Sequence, residues 1–79
     1  MLNEELLNKL VKQHIPWFDD GDSPLSWETR INGDVGTETP GEVDLKASYA
    51  FADAVAKEMP GVSVTHNGCG EWVIVDVVY

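Results

Sequence analysis

The sequence predicts an α+β fold: a single domain over residues 1–79, ordered helix, strand, helix, strand, strand, with two helices against a three-stranded antiparallel or mixed sheet. Three observations carry that reading. A capped amphipathic stretch opens the chain, an alanine-rich stretch with helical spacing sits in its middle, and two valine-rich runs flanking Asn67-Gly68 close it. Seventy-nine residues supply one core and no more. A domain of this size buries only about 60% of the surface its unfolded chain exposes. Hydrophobic residues make up 43% of the chain and include Trp17, Trp27 and Trp72, the composition of a folding sequence rather than a disordered one.

The first helix is expected over residues 4–14. Asn3 is its N-cap, Leu2 and Leu7 stand at staple positions, Glu4 and Glu5 occupy the first turn, and Lys9 and Lys12 follow toward the C-terminal end. Leu6, Leu7, Leu10 and Val11, with His14, form its apolar stripe, and Pro16 forces Ile15 out of helical geometry. Residues 16–24, with Trp17-Phe18 followed by three acids and turn formers, read as a connecting loop. Leu25, Trp27, Thr29 and Ile31 alternate with Ser26, Glu28 and Arg30, a half-buried first strand ending at Asn32-Gly33. Asp34 to Gly41 is too polar to pack and is expected to cross the surface.

The next segment satisfies two periods. Val43, Leu45, Ala47, Tyr49 and Phe51 alternate like a strand, while Ala47, Ala50, Phe51, Ala54 and Val55 recur at helical spacing. The alanine content favours a helix from about 45 to 59, capped by Asp44. Thr39-Pro40-Gly41-Glu42 offers an earlier capping box, and Met59-Pro60-Gly61 provides a stop. Residues 62–66 and 71–79 form the last two strands around a two-residue turn at Asn67-Gly68, which sets Val62 opposite Val73 and Ser63 opposite Trp72. Val62, Val64, Val73, Val75 and Val77 then share the face beneath the helices. Ser63, Thr65, Trp72, Ile74, Asp76 and Val78 share the other. The third strand is apolar on both sides, so it belongs in the centre, giving the order 2-3-1.

Charge bounds the function. Fourteen Asp and Glu against five Lys and Arg give a formal net charge of −9. Direct binding of nucleic acid or of an anionic membrane needs clustered cations, and here the five basic residues are scattered among acids. Cys69 is the only cysteine, so no intramolecular disulfide forms. The chain opens with acids where a secretory signal carries positive charge, and no apolar run is long enough to span a bilayer; both features point to a cytoplasmic protein.

Three constellations invite chemistry. Asp19-Asp20-Gly21-Asp22 suggests a calcium loop, but a twelve-residue count from any of its acids ends on Arg30, Ile31 or Gly33 rather than on the bidentate Glu that an EF-hand requires. A solvated turn is the plainer account. His66 and Cys69 form a His-x-x-Cys, two ligands where zinc wants four, with His14 the one further histidine; an incidental thiol at a hairpin tip is simpler. Asp76 interrupts the apolar alternation of the third strand, where Arg30 on a neighbouring strand is its expected partner, and Trp72, Ile74 and Val78 beside it form a candidate exposed patch. No nucleophile, base and orienting group come together, so no enzyme activity, cofactor or metal is expected.

The acids are unevenly placed. Asp19, Asp20, Asp22, Glu28, Asp34, Glu38, Glu42 and Asp44 face Arg30 alone between residues 19 and 44, which puts −7 of the total −9 in a third of the chain. The plain account is solvated loops. The sharper one is a carboxylate surface that imitates nucleic-acid phosphates to a larger protein with a basic face, with Trp17 or Trp72 as anchor. The sequence thus suggests a protein-binding inhibitor or decoy of the kind that phage and mobile-element genomes encode. The alternative is an assembly module that homodimerises through the Trp72, Ile74, Val78 face.

Overall fold

The computed structural model describes residues 2–30, 40–69 and 72–79, with backbone alone at 40–43 and 69. Helix α1 spans Glu4–His14. The Asn3 side chain accepts a hydrogen bond from the Leu6 amide at 3.1 Å, closing the helix start, and the Ile15 amide donates to the Val11 carbonyl at 2.8 Å beyond its last turn. Pro16 then sits second in a turn closed by the Phe18 amide donating to the Ile15 carbonyl at 3.1 Å. These local signals set where the helix begins and ends, and packing of Leu7 and Leu10 into the core holds it.

Segment 16–24, expected to be a loop, contains a short strand instead. Strand β1, Asp19–Asp20, pairs antiparallel with β2, Ser26–Arg30, setting Asp19 opposite Glu28 and Asp20 opposite Trp27. Asp is a poor strand former, so propensity hides this strand. The ladder forms because the hairpin closes: the Gly21 amide donates to the Ser26 carbonyl at 2.8 Å. Gly21 is required there, since a Cβ at that position would stand 2.9 Å from the Ser26 Cβ. Leu25 closes the loop with φ 65, a left-handed conformation that costs a side-chain-bearing residue roughly 1–2 kcal/mol. Its carbonyl accepts from the Val77 amide at 3.0 Å, and its half-buried side chain packs on the core, which offset that cost.

Helix α2 runs Pro40–Glu58, starting five residues before the expected position, with proline first, where its missing amide is harmless. The proposed cap Thr39 lies outside the described residues. Asp44 does not cap the helix but lies inside it. At the other end Gly61 has φ 89 behind Pro60, and the Val62 amide donates to the Met59 carbonyl at 3.0 Å, a turn that needs glycine at its third position.

Strands β3, Ser63–Cys69, and β4, Trp72–Val78, complete the sheet. Its order is β1-β2-β4-β3 with every pairing antiparallel, four strands in place of the expected three in order 2-3-1. The hairpin turn is also corrected. Asn67 and Gly68 belong to β3, opposite Ile74 and Val73, and the connection falls on Gly70 and Glu71, which lie outside the described residues. The gain is ladder length: seven pairs form from Ser63↔Val78 to Cys69↔Trp72, covering all of β4. The shift moves each residue by an even number of partners, so the faces survive. Val73 and Val75 are fully buried, whereas Trp72 is 40% and Val78 50% exposed.

The core joins both helices to one face of the sheet: Leu7, Leu10 and Ile15 meet Phe51, Val55 and Met59 over Trp27, Val73 and Val75. Phe51 and Trp27 touch edge to face, with ring centroids 6.0 Å apart. The start of α1 meets the end of α2, where the Asn3 amide points at the Met59 sulfur at 3.4 Å. No helix among the described residues is long and apolar enough to cross a membrane.

Two substitutions test this core. Phe51→Ala should cost about 3–5 kcal/mol, as much as a core this small supplies, so the variant should be largely unfolded in a urea titration at 25 °C. Ser48→Ala should be neutral or stabilising, because the fully buried Ser48 hydroxyl has no hydrogen-bond partner among the described residues. A measured loss above about 1 kcal/mol would reveal a partner for it.

Candidate functional site: an acidic hairpin and an open sheet face

The register sorts the candidate residues by face. Asp19 pairs with Glu28, Glu28 with Ile74, and Arg30 with Trp72, so these five side chains share the face turned away from the helices. Asp76, on the same face, lies between Ser26 and Thr65. The expected partnership of Asp76 with Arg30 is therefore replaced. Arg30 stands four positions along the ladder, with its guanidinium 5.7 Å from the Trp72 ring centroid, a cation–π contact. Helix α1 packs beside α2 under the opposite face, and Trp72 and Val78 stay in contact with solvent.

Most of the acid on this open face lies on the β1–β2 side, with Asp76 the exception among the apolar residues of β4. On the β1–β2 side Asp19 stands directly opposite Glu28, a like-charge cross-strand pair of the kind that destabilises a ladder by roughly 0.2–1 kcal/mol. On the β4 side are Trp72, Ile74 and Val78. Asp20 and Asp22 are exposed at the edge and in the hairpin loop. One strand edge thus carries Asp19, Asp20 and Asp22 within four residues.

Two sequence candidates form a different unit. The Trp17 indole Nε1 donates to an Asp44 carboxylate oxygen at 2.7 Å, spanning 27 residues. Asp44 is only 7% exposed, so it is a structural acceptor rather than part of a displayed carboxylate row; Trp17, at 45%, still shows much of its ring. The bond fixes the entrance to the acidic hairpin against α2, and Trp17 also meets Phe18 edge to face at 5.7 Å. Sequence reasoning missed this link because neither residue carries a local signal for it.

Of the remaining acids, Asp34 and Glu38 lie outside the described residues and Glu42 is described in backbone alone. His66 packs against Tyr49 of α2, with ring centroids 4.0 Å apart, and sits within β3 opposite Val75 rather than beside the turn; Cys69 is described in backbone alone. Among the described residues no three His, Cys, Asp or Glu side chains gather as a metal site.

The indole–carboxylate link yields a direct measurement. Trp17→Phe keeps an aromatic ring but leaves the buried Asp44 carboxylate without that donor, and should cost about 1–3 kcal/mol in chemical denaturation. Combined with Asp44→Ala it should cost clearly less than the sum of the single losses, whereas additive losses would show that the bond contributes nothing. No protein-family model, curated protein or solved structure matches this chain.

Proposed function

We propose that this chain is a small cytosolic binding protein without catalytic activity, which occupies a basic surface of a larger protein and acts as an inhibitor or nucleic-acid decoy. The observation that carries the reading is the β1–β2 hairpin, which places Asp19, Asp20 and Asp22 within four residues along one strand edge and sets Asp19 against Glu28. A ladder that keeps two carboxylates opposed gives up local stability, and departures of that kind cluster where a surface serves a purpose beyond folding. The Trp17–Asp44 bond holds the hairpin's entrance in place before any partner arrives, which lowers the ordering cost of binding.

Occlusion is the mechanism. The negative potential of the hairpin draws a Lys- and Arg-lined groove into encounter, the carboxylates take the places that phosphates would hold, and Trp17 or Trp72 supplies buried apolar area at the contact. The partner is a protein built to hold nucleic acid, since that is the groove such an array fits. No cofactor or metal has a part in it.

The test is salt and competition. A partner captured from the native host at low salt should be released at high salt and displaced by duplex DNA. Replacing Asp19, Asp20 and Asp22 by Asn should slow association by roughly tenfold or more, mostly through the on-rate. Binding that ignores salt, or that survives the triple replacement unchanged, would overturn the proposal.

A further inference from the structure

We propose that two copies of this chain join through the outer edge of β3, continuing the sheet across a two-fold axis near His66. The hydrogen-bond pattern shows which groups are available. The Val77 amide donates to the Leu25 carbonyl, so Val77, Val75 and Val73 direct their backbone groups at β2, and Val78, Ile74 and Trp72 direct theirs, with those of Asp76, at β3. On β3, Ser63, Thr65, Asn67 and Cys69 are consequently the residues bonded to β4. Val64, His66 and Gly68 turn their N–H and C=O groups outward, and among the described residues no strand pairs with that side.

The two edges of the sheet are unlike. The β1 edge is two residues long and made of two aspartates, features by which proteins block edge pairing. The β3 edge is seven residues long with no Asp, Glu, Lys, Arg or Pro. In a chain of net charge −9, residues 61–70 are free of acid and of Lys and Arg, so the strand a second copy would meet adds no like charge of its own. The nearest sheet acid is Asp76, one strand inward. Across the joint the two Asp76 side chains would lie at least three strand spacings of about 4.8 Å apart, beyond a Debye length of about 8 Å at physiological salt.

An axis at His66 sets it opposite its symmetry mate and Val64 opposite Gly68 of the second copy, so that outward-facing residues meet only one another and each pair exchanges two hydrogen bonds. Tyr49 adds apolar area at the joint. Its ring lies 4.0 Å from that of His66, over the edge strand, and it is 52% exposed. The open face with Trp72 and the acidic hairpin at the opposite edge stay free, so this contact is independent of the docking proposed above.

Sedimentation equilibrium across protein concentration and salt tests it. The expected result is a dimer that tightens as salt rises, the opposite of acidic docking, so either proposal can fail without the other. Gly68→Pro removes an outward amide and leaves the bonds to β4 in place, and should weaken the dimer by roughly tenfold or more, with near-ultraviolet dichroism reporting that the tryptophans remain packed. Hydrogen exchange on the unaltered chain supplies a second readout. The Val64, His66 and Gly68 amides should gain protection as concentration rises. A chain that stays monomeric at high salt, a dimer that Gly68→Pro leaves intact, or a dimer in which these three amides still exchange freely would overturn the inference.

Discussion

The contact of Phe51 with Trp27 ties the two halves of this structure together. Phe51 comes from the middle of α2, Trp27 from the strand that joins the acidic hairpin to the rest of the sheet, and both rings lie within the single core. Around them Val73 and Val75 are sealed on β4, one of the two strands with neighbours on both sides. Leu7 and Leu10 enter the same cluster from α1, and Ile15 from just beyond its end. A chain this short has no second core to fall back on, so the shape of its surface follows from how these side chains fill one space.

How much of this was legible in the sequence depended on the distance over which each signal acts. The first helix was readable because its cap, first-turn acids and trailing proline lie within a few residues of one another. The faces of β3 and β4 were readable because a period of two is a property of each strand alone. The hairpin turn was not. Asn67-Gly68 is a strong local signal, yet a turn there would leave the last five residues of β4 without partners from β3, and the longer ladder wins. Strand β1 was hidden for the opposite reason, since Asp19-Asp20 has no strand propensity and pairs because of how residues 21–25 fold back.

The candidate site shows the same division. That acids crowd residues 19–44 is plain from composition. Their separation into kinds is not: Asp19 and Glu28 share an open face, Asp20 and Asp22 mark the edge, and Asp44 is buried beneath the Trp17 indole. Spacing alone would have grouped Asp44 with the others, and only the 27-residue link to Trp17 separates it. Arg30 was likewise expected to answer Asp76, and the register gives it the Trp72 ring instead.

The closing hairpin has a consequence for how such a chain can change over time. Its arms slid past each other, relative to the turn that Asn67-Gly68 favours, by a step that kept every valine on its own side. A further slip in register is therefore tolerable in twos and ruinous in ones, because an odd step would turn Val73 and Val75 out to water and bring Trp72 and Asp76 under the helices. Pairing among descendants of this sequence should shift only in even steps, with odd changes of length taken up by the connecting loop, a rule of parity imposed by the pleat rather than by any contact.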